Sequence, residues 1–259
     1  MKLYKVFALL YHDALIFSRV KWRLVETFYF PITSIIIWGF FAIYMKNFAL
    51  EAGLMVLALN IFWNFAYIAQ SNTNMQMMED TWSGSLKQIF LSGINEFEYL
   101  LARIIFSTVL SSFVLLLLAS ISLLFGLGVI ASNFNMVAVL LFTTLIASIA
   151  MSVFVAAILI TMGKEYGFLA WTILQMFILL SAPFFSVNVF PEPIKTISAV
   201  MPYTAIFENA RSLVISGTIN QSLLTTGIFT SFAYLIISLP LYKFAFNHAR
   251  KTGYLVKLS

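Results

Sequence analysis

The residue types that carry most enzyme chemistry are scarce in this chain. There is no cysteine, which excludes thiol nucleophiles, thiolate metal sites and disulfides. The two histidines, His12 and His248, stand at opposite ends. They leave no nucleophile–base pair and argue against a histidine-rich metal centre. Phosphate binding through a P-loop needs G-x-x-x-x-G-K-[ST]; Gly163-Lys164 is followed by Glu165, and no such run exists. No catalytic, metal-binding or cofactor-binding residues are therefore expected, and the chain is not read as an enzyme. The polar groups worth watching are amides set in apolar surroundings, Asn60, Asn64, Gln70 and Gln175. Their burial in lipid costs free energy, so they should face protein or a pathway.

The elements that must position these groups follow from composition. The 259 residues are 61% hydrophobic and 10% charged, against about 45–50% and about 25% for soluble domains. An ordinary soluble enzyme and a disordered tail are both excluded. A transmembrane helix needs about 20 mostly apolar residues. Six uncharged stretches qualify: about Thr27–Met45, Gly53–Gln70 with the polar tail Ser71–Asn74, Ile104–Phe125, Met136–Met162, Tyr166–Val187 and Leu223–Tyr242. They are continuous runs, not ten-residue alternations, so helices are expected and not barrel strands. With the N-terminus inside, twelve of the fifteen lysines and arginines fall on the inner side and Lys46, Lys195 and Arg211 outside. Both termini are thus expected in the cytoplasm of a cell whose inner membrane holds the protein. The basic balance is assigned to anionic lipid, and no nucleic-acid partner is expected. All ten Asp and Glu residues fall outside the six stretches, which argues against a proton- or sodium-driven carrier.

Three further segments are not spans. In residues 1–24, Phe7, Leu10, Ala14 and Phe17 recur at helical spacing with Lys5, Asp13 and Arg19 between them. This is read as an amphipathic helix on the inner membrane surface. Residues 79–94 form the longest cytoplasmic loop: Glu79 and Asp80 open it, Trp82 and Gly84 follow, then Leu86, Ile89 and Phe90 at helical spacing, with Gly93 as C-cap. Its apolar face needs cover, either a cytosolic subunit or the protein's own inner surface. Residues 188–222 are too apolar for a solvated loop and are punctuated by Pro191, Pro193 and Pro202. Two short re-entrant helices are expected there, about Pro193–Met201 and Tyr203–Ile215, with Glu208 and Arg211 spaced to pair.

At these residues the chain resembles the transmembrane permease subunits of type-2 ABC exporters. One pattern is an acidic residue, then G-[ST]-L-x-x-[LI]-x-x-[ST]-P-[ILV], matched by Glu79 or Asp80 and Gly84–Ile94. It departs from the family at Gly93, where proline is usual, and at Lys87, where glutamate is common. The other is F-P, then P-[LYF]-[TS], then arginine, matched by Phe190-Pro191, Pro202-Tyr203-Thr204 and Arg211. The resemblance covers nearly the whole chain. It implies a single all-α integral membrane permease domain over 1–259. That domain has six transmembrane helices, an N-terminal interfacial helix, a cytoplasmic coupling helix over 79–94 and an outer re-entrant gate over 188–222. It further implies a pair of permease copies and a separate nucleotide-binding ATPase subunit, which would hold ATP and Mg. ATPase coupling would rest on Glu79, Asp80, Trp82, Gly84, Leu86, Ile89 and Phe90. The gate would rest on Phe190, Pro191, Pro202, Tyr203, Glu208 and Arg211.

Spans one, two and five would line the route, with Phe41, Tyr44, Asn60, Trp63, Asn64, Tyr67, Trp171 and Gln175 as pathway residues. With 27 Phe, 11 Tyr and 5 Trp, aromatic faces could stack on sugar rings or flat apolar molecules, or simply form interfacial belts. A glycan, a lipid or a hydrophobic drug is the expected substrate class. Two rivals make different demands. An ATP-independent channel or scaffold needs no ATPase partner and gives the Gly84–Ile94 segment no role. A lipid-modifying enzyme needs a polar catalytic cluster, and the sequence offers none.

Overall fold

The computed structural model describes residues 2–128, 132–162 and 166–252; the side chains of Asn47, Ala170, Trp171 and Leu174 also lie outside the description. The chain is all helical, with no strand among the described residues. Helix α1 is Leu3–Arg19 and α2 is Lys21–Leu24; a π turn at Val25–Tyr29 leads into α3, Phe30–Trp82. Ala49 breaks α3 with non-helical torsions. Then follow α4 (Ser85–Leu91), α5 (Glu96–Leu124), α6 (Phe134–Met162), α7 (Leu169–Leu180), α8 (Glu192–Ala199), α9 (Thr204–Ser216) and α10 (Gln221–Lys251). Five stretches are long and apolar enough to cross a bilayer: Lys21–Lys46, Phe48–Trp82, Glu96–Leu124, Phe134–Met162 and Gln221–Lys251. The protein is therefore an all-helical chain with the makings of a membrane protein. The fifth expected span is represented by α7. Its 12 residues reach about 18 Å at 1.5 Å per residue, short of a hydrocarbon core of about 30 Å.

Buried clusters define two ends. At the proximal end Val6 and Leu9 of α1 pack with Met77, Leu86, Tyr99, the second half of α6 from Val153 to Ile160, and Tyr242 to Ala249 of α10. Toward the distal end the first half of α6 from Val137 to Met151 packs with Leu59, Phe62 and Ala66 of α3, most of α9, and Leu224 of α10. So α6 runs toward the proximal end and α10 leaves from the distal one. The segment between them makes a net return. Its first part is α7, whose Leu169 and Ile173 pack near Met78 and Leu159, while Ile178 reaches the distal cluster.

Several helices outrun the apolar windows that announced them. The second stretch continues as helix to Trp82, so Ser71, Thr73, Asn74 and Gln76 are buried helical residues and not a polar tail. Protein packing, not lipid, sets that length, and apolar run length does not register it. For the same reason Glu26, Glu51, Glu79, Asp80, Glu96 and Glu98 lie on the span-length helices and not beyond them. That corrects the expected exclusion of acids from the spans. The α4–α5 turn is fixed locally. Gly93 is left-handed (φ 82°), and Asn95 and Glu98 form a capping box with bonds of 2.8 and 3.1 Å.

Candidate functional site

Three places bring the sequence-selected residues together. The first is a buried charged junction at the proximal end. Arg103 of α5 is 1% exposed and stands between two carboxylates, Asp13 of α1 and Asp80 of α3. Its Nη2 donates to Asp80 Oδ2 at 2.5 Å, and its Nη1 meets Asp13 Oδ1. Tyr99 OH donates to the same Asp80 oxygen at 2.6 Å, and Ser85 Oγ donates to Asp80 Oδ1 at 2.9 Å. The guanidinium also lies 4.7 Å from the Tyr99 ring centroid. Beside it Arg23 grips Glu79 through Nε at 2.6 Å and through a second contact, Nη2 to Oε2. Lys2 N donates to Glu98 at 2.6 Å, and Lys5 Nζ reaches the Gly93 carbonyl. One charged cluster thus ties α1, α2, α3, α4 and α5. His12 borders it, 3.4 Å from Asp13. Burial, then the Arg103 and Arg23 cations, hold its imidazole below the usual histidine range.

This junction corrects two expectations and, for the cover of the short helix, selects the protein's own surface. Helix α1 turns Val6, Leu9 and Asp13 inward, while Phe7 is 67% exposed. Asp13 is thus a buried partner of Arg103 and not part of a solvated face, while the apolar set of Phe7, Leu10, Ala14 and Phe17 keeps Phe7 and Ala14 turned outward. Second, Glu79, Asp80 and Trp82 belong to the last turn of α3, and the short helix starts only at Ser85, after the left-handed Gly84. Leu86 is buried, and Ile89 and Phe90 pack beside it against the protein's own core. The edge that α4 leaves open carries Lys87, Gln88 and Leu91, the last 76% exposed, with Trp82 nearby in sequence at 49%.

The second place is the seam between the two halves of α3. Asn60 Nδ2 donates to Ser34 Oγ at 2.9 Å, and Asn64 Nδ2 donates to the Asn60 carbonyl at 2.9 Å. Positions 60, 63, 64 and 67 share one helix face. Trp63 stacks on Phe184, and Phe184 on Trp38, with centroids 5.6 Å apart in each pair. Phe41 lies edge-on to Trp38. Further along, Glu26, Phe30, Pro31, Asn64, Tyr67 and Ile68 line a pocket of about 280 Å³. Of the expected pathway residues, Phe41, Asn60, Trp63, Asn64 and Tyr67 meet along this seam. Tyr44 is 64% exposed and Gln175 is exposed away from these contacts. The Trp171 side chain and residues Gly163, Lys164 and Glu165 lie outside the described residues.

The third place is the distal cap. The expected helices Pro193–Met201 and Tyr203–Ile215 appear as α8, Glu192–Ala199, and α9, Thr204–Ser216. Pro191 caps α8, and Phe190 meets the Phe185 ring at 5.2 Å. Glu208 and Arg211 pair at 2.6 Å. Each also holds backbone: Glu208 accepts from Val187 N at 3.0 Å, and Arg211 Nη1 donates to the carbonyls of Ala182 and Pro183 at 2.8 and 3.0 Å. These bonds satisfy the non-helical stretch after α7, which could not otherwise be buried. Pro202 is buried, and the buried Tyr203 donates to Ser148 Oγ at 3.2 Å.

Sequence reasoning gave no site role to Arg103, Tyr99, Trp38 and Glu26, and placed Asp13 only on the polar side of the first helix. One signal was present. Tyr99, Arg103, Ser107 and Ser111 recur every four residues, and all are buried along α5. Ser107 donates to the Ala69 carbonyl at 2.7 Å. A polar stripe on a membrane-length helix marks a helix–helix interface. Among the described residues no group of three or more metal-ligating side chains occurs. Compared with protein-family models and with curated proteins, the chain matches none.

Proposed function

We propose that the chain is the membrane-spanning subunit of an ATP-driven exporter of the type-2 ABC kind. Two copies work with two separate ATPase subunits, and both termini face the cytoplasm of a cell whose inner membrane holds the assembly. The proximal end is the cytoplasmic end. Six crossings are made, the fifth discontinuous: α7 enters from the cytoplasmic side and the Arg211-braced stretch and α8–α9 complete the traverse. The substrate is a glycan, a lipid or a hydrophobic drug moving along the aromatic seam.

The observation that carries this reading is α4. Its apolar face is locked to the protein by Leu86, Ile89 and Phe90, and its backbone turn is clamped by Asp80 through Ser85. It therefore cannot move without α3 and α5, while Leu91, Lys87 and Gln88 remain open at the surface. A helix rigidly joined to the spans and open on one edge is what a cytosolic motor needs. The channel or scaffold alternative leaves that open edge, with its exposed Leu91, without a role. Co-purification from native membranes under mild detergent tests the proposal. A cytosolic ATPase should be recovered in equal amount, and Leu91→Glu should lose it while the chain still elutes as a folded species. Recovery of the chain without a nucleotide-binding partner would refute the exporter reading. Charge at Leu86 or Phe90 is not the informative change, because it strikes the core.

A further inference from the structure

The pocket beside the seam contains a carboxylate that no cation contacts directly among the described residues. Glu26 is half-buried on the π turn Val25–Tyr29 and lines the pocket with Phe30, Pro31, Asn64, Tyr67 and Ile68. The nearest guanidinium, Arg23, is committed to Glu79 by two contacts. Among the described residues Glu26 has no hydrogen bond and no ion pair, unlike its neighbours Glu79, Asp80 and Asp13. A half-buried carboxylate without a direct partner is costly, and one on a membrane-length helix points to a functional partner. A π turn adds a residue to the helical register and re-aims the side chains around it, and such turns cluster at functional sites. Here it precedes the Phe30-Pro31 wall of the pocket.

The lining selects a chemistry. One negative charge, the rings of Phe30 and Tyr67, one amide and the aliphatic surface of Pro31 and Ile68 suit a cation with an apolar body. The carboxylate supplies the countercharge and the ring faces attract a cation through their quadrupoles. Inorganic cations, which need six or more oxygen ligands in the case of calcium or magnesium, find only one carboxylate, one amide and one phenol among the lining side chains here. We infer that this pocket is a binding site for an amphipathic organic cation, an ammonium or a similarly delocalised cation on an apolar scaffold. In the exporter reading this narrows the substrate class to lipophilic cations, but binding by the isolated chain does not depend on an ATPase.

The test uses the full-length chain purified without other subunits in mild detergent, with radiolabelled tetraphenylphosphonium as probe in equilibrium binding. Radiolabelled tetraphenylborate, of the same shape and opposite charge, is measured in separate samples, because the two ions precipitate together. Saturable binding of one cation per chain is expected, with tetraphenylborate binding at least about tenfold more weakly. Glu26→Gln should weaken binding about tenfold or more, the scale of a desolvated charge contact. Glu51→Gln, an exposed acid outside this pocket, should bind as the parent chain does. No saturable binding, equal affinity for the anion, or a Glu26→Gln affinity within about twofold of the parent would each overturn the inference. Were Glu26→Gln not to fold, the comparison of the two ions on the unaltered chain would still decide. These outcomes are separate from those of the exporter reading: an ATPase recovered with a chain that ignores the cation sinks only the site, and cation binding without an ATPase sinks only the exporter.

Discussion

Replacing Arg103 with methionine should be among the most damaging single changes in this protein. The guanidinium is 1% exposed, and its two carboxylate partners, Asp13 and Asp80, are buried at 2% and 4%. Removing one member of a buried ion pair costs about 3–5 kcal/mol, because the charge left behind is uncompensated. Here two are left, and they are not equivalent. Asp80 keeps the hydroxyls of Tyr99 and Ser85. Asp13 keeps only His12 at 3.4 Å, and its Oδ2 already lacks a hydrogen-bond partner. The penalty therefore falls mainly on α1, which should detach first. At about 2–4 °C per kcal/mol for a chain of this size, the melting midpoint should fall by roughly 10 °C. Size-exclusion chromatography of heated samples reads the midpoint, and limited trypsin digestion at Arg19 and Lys21 reads the release of α1. Asp13→Asn should cost less than Arg103→Met, because Arg103 keeps Asp80. Replacing all three charges with apolar residues of similar volume should recover most of the loss. A midpoint change under about 3 °C for Arg103→Met, or a larger loss for Asp13→Asn, would refute this account.

Three further outcomes follow from individual contacts. Exchanging Glu208 and Arg211 should not restore assembly, because Arg211 also holds the carbonyls of Ala182 and Pro183 and Glu208 holds Val187 N; a swap that elutes and melts like the parent would show that mutual pairing alone matters. Gly53→Ala should destabilise by about 1–3 kcal/mol, because the added carbon would lie 2.9 Å from the Ala42 Cα and 3.1 Å from its carbonyl oxygen, backbone atoms that no rotamer change can move; an unchanged melting midpoint would refute that close approach. Acidification should weaken the fold through His12, whose folded-state pKa is lowered. The unfolded chain binds the proton first, so this loss begins as pH falls through about 6.5; His12→Gln should flatten the midpoint-against-pH curve between pH 7 and 5, and an unchanged slope would count against it.

Span-length apolar runs, caps and turn residues were legible in the sequence because they act over a few neighbours. Apolar run length announced five of the six expected traverses, with ends misplaced wherever protein rather than lipid covers the helix, as at Ser71–Trp82. The proline-marked helices before the last span appear within a residue or two of their expected bounds, since proline and the αL Gly217 punctuate backbone locally. The i, i+3 spacing of Glu208 and Arg211 fixed their pairing for the same reason. The charged junction was not legible. Asp13, Asp80 and Arg103 are separated by 67 and 23 positions, and nothing in their neighbourhoods distinguishes a buried ion from a snorkelling one. Nor could periodicity say which face of α1 or α4 turns inward when both partners, lipid and protein, are apolar. The sequence by itself determined that this chain is helical, membrane-directed and poor in catalytic groups, because composition and local spacing decide those properties. Only the tertiary structure decided which polar groups meet, that α4 is welded to α3 through Asp80, and that Glu26 faces a pocket without a direct partner among the described residues, because such pairings depend on how distant helices pack.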